Sequence, residues 1–313
     1  MVDSRQWGAA AVKVAITGSS GLLGPHLVRS FRGDGHEVVR LVRREATAAD
    51  EVFWRPELGH VDLDGLAGTD AVVHLAGAGL ASRPWTPAHK RRVLESRVQG
   101  TTTIAGAVVA MDPPPRVLLS MAGVGYYGNP GDRVLDETSP AGDTYLARIV
   151  QEWEAATMPA AAAGIRVVTM RTGVVVSGKG GAYGRLLPIF RLGLGGRLGS
   201  GRQWWSWVAL HDYVRAVRFL VDHDELSGPV NVTSPQPVTN AEATVALGRA
   251  VHRPAVMWVP GFALRLPLRD FAEDLLGGQR VVPQRLLDAG FAFDRPELEQ
   301  AIRAEIAQAR ATS

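Results

Sequence analysis

Not one of the 313 residues is a cysteine. That excludes disulfides, thiol nucleophiles and cysteine-ligated zinc, and it is compatible with a reducing cytosol, the compartment we expect. Lysine is nearly absent too: Lys13, Lys90 and Lys179 are the only ones, so arginine carries the positive charge. Basic side chains number 34 against 31 acidic ones, and Arg-rich spots such as 40–44 and 90–92 are interspersed with apolar residues and acids. No recognition motif accompanies them, so no nucleic-acid partner is expected. No stretch approaches the roughly 20 uninterrupted apolar residues of a spanning helix, and no membrane association is expected. The first ten residues hold Asp3, Arg5 and Gln6 with no apolar run behind a basic start. They read as a short frayed tail and not as a secretory leader. None of the eight histidines sits in a His-x-x-x-His or carboxylate-interleaved pattern, so no metal site is expected.

What remains is an ordinary globular composition, 46% hydrophobic and 21% charged. Short apolar runs alternate with longer periodic ones. Strands are expected at 12–17, 37–42, 70–75, 116–120, 165–170 and 229–232, and helices at 22–33, about 86–109, about 143–162 and 211–221. That alternation predicts an α/β chain, a doubly wound parallel-sheet Rossmann fold covered on both faces. From Ser177 to Gly201 glycine is dense, which suggests a mobile loop flanking a helix near 185–192. Beyond the last strand, Pro235, Pro237, Pro254, Pro260 and Pro267 punctuate shorter elements, read as a smaller C-terminal cap on the substrate side. The domains are therefore set at 11–233 for the nucleotide-binding part, with 176–207 contributing to the substrate side, and 234–303 for the cap.

The sharpest local signal is Gly18-Ser19-Ser20-Gly21-Leu22-Leu23-Gly24, which directly follows a strand and directly opens a helix. In that context Gly18 permits the tight turn, Gly21 the approach of a pyrophosphate, and Gly24 close packing of helix on strand. Free N–H groups at the helix start would face the phosphates, helped by the helix dipole. An NAD site wants a carboxylate at the end of the second strand for the ribose hydroxyls. This strand ends instead in Leu41-Val42-Arg43-Arg44. Guanidiniums at that position suit a 2′-phosphate, so NADP(H) is the expected cofactor.

Further landmarks follow in order along the chain: His74-Leu75-Ala76-Gly77, Trp85, Ser96-Arg97, Gly125-Tyr126-Tyr127-Gly128, Trp153-Glu154 and Arg171-Thr172-Gly173-Val174-Val175. Then come Gly193-Leu194-Gly195-Gly196, Gly199-Ser200-Gly201-Arg202-Gln203, Trp207, Asp212, Asn231 and Gly278-Gln279-Arg280-Val281-Val282-Pro283. The ordered set resembles an extended short-chain dehydrogenase/reductase. More narrowly it is similar to the atypical subgroup labelled epimerase family proteins, which carries a C-terminal domain of unknown function. The resemblance implies that Leu75, Ala76 and Gly77 pass their backbone beside the adenine ribose, and that Arg97 and Val175 line the cofactor. A strand-end run such as Leu75-Ala76 is equally what plain core packing would look like.

The wider superfamily uses a tyrosine as acid or base, a lysine four residues later that lowers its pKa, and a serine or threonine that holds the carbonyl. By that resemblance Tyr145 occupies the tyrosine position. Ile149 stands where the lysine would be, Arg148 leaves the helix about 100° away, and Gly123 takes the hydroxyl position. Tyr126 and Tyr127 are alternative donors. Trp204, Trp205, Trp207, Gln203 and Arg202 suggest an apolar or aromatic small-molecule substrate with a few polar anchors. The subgroup's usual histidine after the tryptophan is Ala209 here, with His211 nearby. Two functions stay open: an NADP(H)-dependent oxidoreductase with a degenerate triad (catalytic candidates Tyr145 and Tyr127), or a non-catalytic NADPH-binding or redox-sensing protein. A nucleotide-sugar epimerase fits less well, because it needs the full tyrosine–lysine apparatus.

Overall fold

The computed structural model describes residues 11–80, 82–268 and 271–311; the tail expected over 1–10 lies outside them. The chain packs as two interleaved units. Unit 1 comprises Met1–Ala122, Gln151–Met170 and Ala216–Val230, and unit 2 comprises Gly123–Val150, Arg171–Arg215 and Asn231–Ser313. The stretch 176–207 thus belongs to unit 2.

Unit 1 is built on a mostly parallel sheet. Its first six strands are β1 (Lys13–Thr17), β2 (Glu37–Val42), β3 (Glu51–Arg55), β4 (His60–Val61), β5 (Ala71–His74) and β6 (Val117–Gly123). With the strands Arg166–Thr172 and Gly228–Val232 the order runs 228–232, 166–172, β6, β5, β1, β2, β3, β4. The neighbours of β1 are β2 on one side and β5 on the other, both parallel. The chain therefore reverses its winding at β1, and in such sheets the crevice at the strand ends receives ligands. The doubly wound fold expected from the alternation is what is found.

β3 and β4 had no counterpart in the sequence reading. Glu51-Val52-Phe53-Trp54-Arg55 lengthens the sheet beyond β2, pairing Arg40 with Glu51 and Leu41 with Val52 in parallel register. Trp54 is buried there with Val39, Leu41, Leu66, Val72, Ile104, Leu118 and Val167 in one core. Helix α1 (Gly24–Gly33) starts two residues later than expected. Helix α2 (Pro87–Ala110) is capped by Thr86, whose hydroxyl accepts from the His89 N–H. The long helix expected near 143–162 is broken into α3 (Tyr145–Ala155) and Met158–Ala162. Pro159 explains the break: it cannot donate to a continuing helix but is well suited to opening a new one.

Unit 2 has its own core, in which Tyr183, Leu187, Phe190, Trp207, Leu247, Leu298 and Ile302 cluster. Its main helices are Gly181–Arg191, Asn240–Ala250 and Leu298–Ala311. The second opens on a capping box between Thr239 and Glu242. The glycine-dense segment is thus partly regular: a helix, then the short strand Gly196–Leu198 paired with Met257–Val259. No helix among the described residues is long and apolar enough to cross a membrane.

Candidate functional site

The glycine loop lies between β1 and α1, and its glycines answer different demands. Gly18 has φ +67°, and a Cβ there would come within 3.1 Å of the Ala76 nitrogen and the Leu75 carbonyl carbon. A Cβ on Gly24 would sit 2.4 Å from the Gly18 oxygen and 2.5 Å from Ser19 Cα, against backbone that cannot yield. Gly21 is freer: its Cβ would meet only the Gly18 oxygen, at 3.2 Å. The Gly21 N–H closes the turn onto that oxygen at 2.9 Å. The N–H groups of Ser19, Ser20, Leu22 and Leu23 donate to no acceptor among the described residues. Leu23 is the N-cap of α1 without any side-chain cap, and the first turn holds no acid. A cradle of unspent donors at a helix N-terminus is what a pyrophosphate requires.

Thr17, a residue the sequence reading passed over, ties this loop to the end of β5. Its hydroxyl oxygen accepts from the Leu75 N–H at 3.0 Å and the Ala76 N–H at 3.2 Å. The hydroxyl proton is then left for His74 Nδ1, 2.8 Å away, which puts the ring proton on Nε2. Nε2 has no hydrogen-bond partner among the described residues, and burial holds the His74 pKa down to about 4. The imidazole is therefore a neutral structural acceptor. Gly18, Leu75 and Ala76 thus lie together at the ends of β1 and β5.

Gly77 and Arg97 also meet: a Cβ on Gly77 would lie 3.6 Å from Arg97 Cγ. Arg97 projects from α2, and its Nη1 donates to the Ala78 carbonyl at 2.9 Å and the Val93 carbonyl at 3.1 Å. The guanidinium stacks 4.8 Å from the centre of the Trp153 ring. It is only 7% exposed, and no carboxylate pairs with it among the described residues. Burial lowers its pKa to about 10, so it stays cationic at neutral pH. A buried cation without a counterion favours an anionic or acceptor-rich ligand.

At the end of β2 the two arginines part company, because the carboxylate that β2 itself lacks is brought beside it from β3. β3 delivers Glu51, whose carboxylate accepts from Arg44 Nη1 at 2.8 Å and Nη2 at 2.5 Å, and from the Thr47 N–H at 3.0 Å. Arg40 adds an ion pair at 3.1 Å. These hydrogen bonds, Arg44 first, hold the Glu51 pKa down to about 2. Glu51 is thus filled and offers no acceptor to a ribose hydroxyl. Arg43 is exposed, feels Glu57 at a distance, and forms no ion pair among the described residues.

The other candidates belong to unit 2. Tyr145 is the half-buried first residue of α3. Thr144 caps that helix, accepting from the Ala147 N–H at 3.2 Å and donating to Asp274 at 2.9 Å. Ile149 is buried and Arg148 exposed, so no cation stands one turn along. Tyr127 is committed elsewhere: its hydroxyl donates to Asn231 Oδ1 at 2.7 Å and accepts from Arg171 Nη1 at 3.1 Å. Burial, outweighing Arg171, pushes this phenol up to about 12, which makes it a packing residue in character and a poor acid or base. Val175 lies in the strand Val174–Val176 with its side chain buried. Trp207 is wholly buried with its N–H on the Gln236 carbonyl, so it belongs to the core and not to an open aromatic wall. Trp204 does remain partly open, donating to Asp132 and covered by Arg280. His211, Asp212 and Asp294 cluster within 4.8 Å, but Arg215 and the N–H groups of Asp294 and Arg295 occupy the two carboxylates.

With this geometry in hand, residues 14–233 match the model of the NAD dependent epimerase/dehydratase family. The chain belongs to that family. Residues 259–305 match a domain of unknown function, as the resemblance implied. An epimerase family protein of Mycobacterium bovis is 47% identical over 290 residues, 92% of this chain and 96% of that protein. The epimerase family protein SDR39U1 of Bos taurus is 35% identical, covering 95% of this chain and all of its own. The human SDR39U1 crystal structure, solved with NADPH, superposes with a TM-score of 0.88 at 33% identity, covering 95% of this chain and 99% of that one. The family is thus an extended short-chain dehydrogenase type. MoeE5 in complex with UDP-glucuronic acid and NAD shares the fold, at 23% identity and a TM-score of 0.75 over 96% of this chain.

Proposed function

We propose that this family member binds NADP(H) and acts as an oxidoreductase on a small organic substrate with an incomplete catalytic triad. The observation that carries the cofactor choice is the inequality of the two arginines beyond β2. Glu51 is filled by Arg44, so the position lacks a free acceptor for NAD, while Arg43 keeps a free guanidinium for a 2′-phosphate. The uncommitted N–H groups of the loop would hold the pyrophosphate, and Leu75, Ala76, Gly77 and Arg97 would flank the remainder, with Val175 alongside. The NADPH in the human relative's crystal supports the same reading.

Bound NADPH supplies a hydride. The protein's part is to orient it and to hold a proton for the substrate oxygen. Tyr145 is the residue we assign to that contact, as a hydrogen-bond donor that positions the substrate. Ile149 stands four residues along α3 where the superfamily places its lysine, so the cation that would activate this tyrosine is missing. The same deficit favours a second reading, a non-catalytic NADPH-binding or redox-sensing protein. One experiment separates them: analyse the nucleotide retained by the purified protein, then follow NADPH consumption over a panel of aldehydes, ketones and quinones. Turnover supports the oxidoreductase; tight NADPH without turnover supports the sensor; absence of NADPH binding defeats both.

A further inference from the structure

Unit 2 contains a cavity of about 380 Å³ whose lining includes Arg191, His252, Arg253, Arg303 and Arg310, with Ala250, Val251, Ile306 and Ala307 as its apolar part. Not one acid lines it. Three elements build it. The helix Gly181–Arg191 ends on Arg191, and the helix Asn240–Ala250 runs out into His252 and Arg253. From Leu298–Ala311, Arg303, Ile306, Ala307 and Arg310 project at three- and four-residue spacings, hence from one face.

Arginines beside helix C-termini have an ordinary explanation, since they satisfy the last carbonyls and the negative end of the dipole. That explanation covers part of the cluster. Arg253 Nε donates to the Arg191 carbonyl at 3.2 Å, and Arg303 reaches the Arg249 carbonyl at 3.5 Å while pairing with Glu299 at 2.7 Å. It leaves the guanidiniums of Arg191 and Arg310, which make no hydrogen bond or ion pair among the described residues, and the terminal nitrogens of Arg253. His252 adds to this. It is the single non-glycine residue with positive φ among the described residues, at 55°. This is the left-handed position after a helix that glycine usually fills, and here it carries an imidazole that lines the cavity instead.

We infer that this arginine-lined cavity is an anion site for a small phosphorylated molecule, separate in its residues from the dinucleotide loop. Planar guanidiniums from three directions suit the tetrahedral, doubly acceptor-bearing faces of a diphosphate. The apolar patch formed by Ile306 and its neighbours would lie against a short organic portion. The site does not rest on the cofactor reading, because none of its residues belongs to the loop, to Arg43 or to Arg97.

The test is a calorimetric titration of inorganic pyrophosphate into the full chain, at about 0.15 M salt to screen diffuse attraction. Saturating NADPH is present to block the dinucleotide loop. The expected result is saturable one-to-one binding. It should weaken at least tenfold in Arg191→Glu/Arg310→Glu and by less in the charge-neutral Arg191→Gln/Arg310→Gln. NADPH affinity should be unchanged in both; these side chains are exposed, so folding is expected to survive. Absence of saturable binding, or equal affinity in wild type and the Glu double variant, overturns the site. Failure of NADPH to bind would defeat the cofactor reading alone, since the variants still report on this cavity.

Discussion

Arg44 grips Glu51 with both terminal nitrogens, and through that pair the cationic end of β2 is divided into a spent arginine and a free one. The division runs through β3, because only a strand beside β2 could set Glu51 next to Arg40 and within reach of Arg44. Arg43→Ala is therefore expected to weaken NADPH at least about tenfold, the equivalent of losing a charge-assisted contact of roughly 1.5–3 kcal/mol. NADH affinity should hardly change. Fluorescence titration of both cofactors against wild type and variant measures this, and equal wild-type affinities for the two would defeat the assignment. Arg44→Ala should leave the preference for NADPH in place, because Arg40 and Thr47 still hold Glu51.

His74 makes stability depend on pH. Its ring is fully buried and neutral, with a pKa pushed by burial down to about 4, whereas in the unfolded chain it protonates near 6.5. Below 6.5 the unfolded state therefore binds the extra proton, and stability falls as pH drops from about 6.5 toward 4. Between pH 7.5 and 5 this single group should remove roughly 2 kcal/mol. His74→Asn keeps an acceptor for the Thr17 hydroxyl but cannot titrate. Urea unfolding at the two pH values should show a smaller loss for the variant; an identical loss would mean that His74 is not the source.

Much of this arrangement was legible in the residues themselves. β1, the glycine loop and β2 were readable because an apolar run, a glycine spacing and a helix start all agree. The role of Thr17 was not, since its partners Leu75 and Ala76 lie far along the chain and only the parallel pairing of β1 with β5 brings them close. β3 escaped for a related reason. Glu51 and Arg55 bracket a three-residue apolar core too short to stand out, and its burial is created by the sheet edge it joins. The packing units are the clearest case of tertiary information. The boundary read near 233 is also where the family match ends, but no residue pattern announced that the chain passes between the packing units at 122, 150, 170, 215 and 230. Tyr127 showed the opposite failing: a tyrosine pair on a loop looks reactive until Asn231, distant in sequence, accepts its hydrogen bond.

The loop glycines should separate in mutagenesis. Gly24→Ala drives a methyl into the backbone of Gly18 and Ser19 and should destabilise the fold by a few kcal/mol, in the manner of an overpacked core. A Cβ on Gly21 meets only one oxygen, at 3.2 Å, so Gly21→Val should stay folded yet lose nucleotide binding, since its side chain would fill the phosphate's place. Thermal unfolding and NADPH titration together read both outcomes. A folded Gly21→Val that still binds NADPH would show the loop to be structural only.

Asp274 is a buried carboxyl whose pKa burial raises to about 6, with Thr144 as its hydrogen-bond donor. A raised acid pKa means the folded state holds its proton longer, so stability is lost as pH rises from the unfolded value near 3.8 through 6. Asp274→Asn retains the carbonyl acceptor for Thr144 and should stabilise the protein by roughly 1–3 kcal/mol at pH 7.5. At pH 4.5 the gain should shrink. Denaturant midpoints at the two pH values decide it, and a variant less stable at pH 7.5 would show an unrecognised partner for the charge.

Tyr145→Phe is the test of the degenerate triad. Tyr145 begins α3 with Ile149 buried one turn along and Arg148 turned to solvent. Neither supplies the cation that the superfamily's lysine provides, and Gly123 supplies no partner hydroxyl. The phenol then acts as a donor that positions substrate, and its removal should cost less than about tenfold in any NADPH-dependent reduction. A true general acid or base contributes about 10²–10⁴-fold, so the two outcomes are well separated. The comparison is made as kcat/KM across pH 6–9, with NADPH affinity measured in parallel to show that the cofactor still binds. A drop of a hundredfold or more, with that affinity intact, would mean that another cation, Arg97 or the nicotinamide ring itself, activates the phenol. A conventional tyrosine mechanism would then be restored despite the missing lysine.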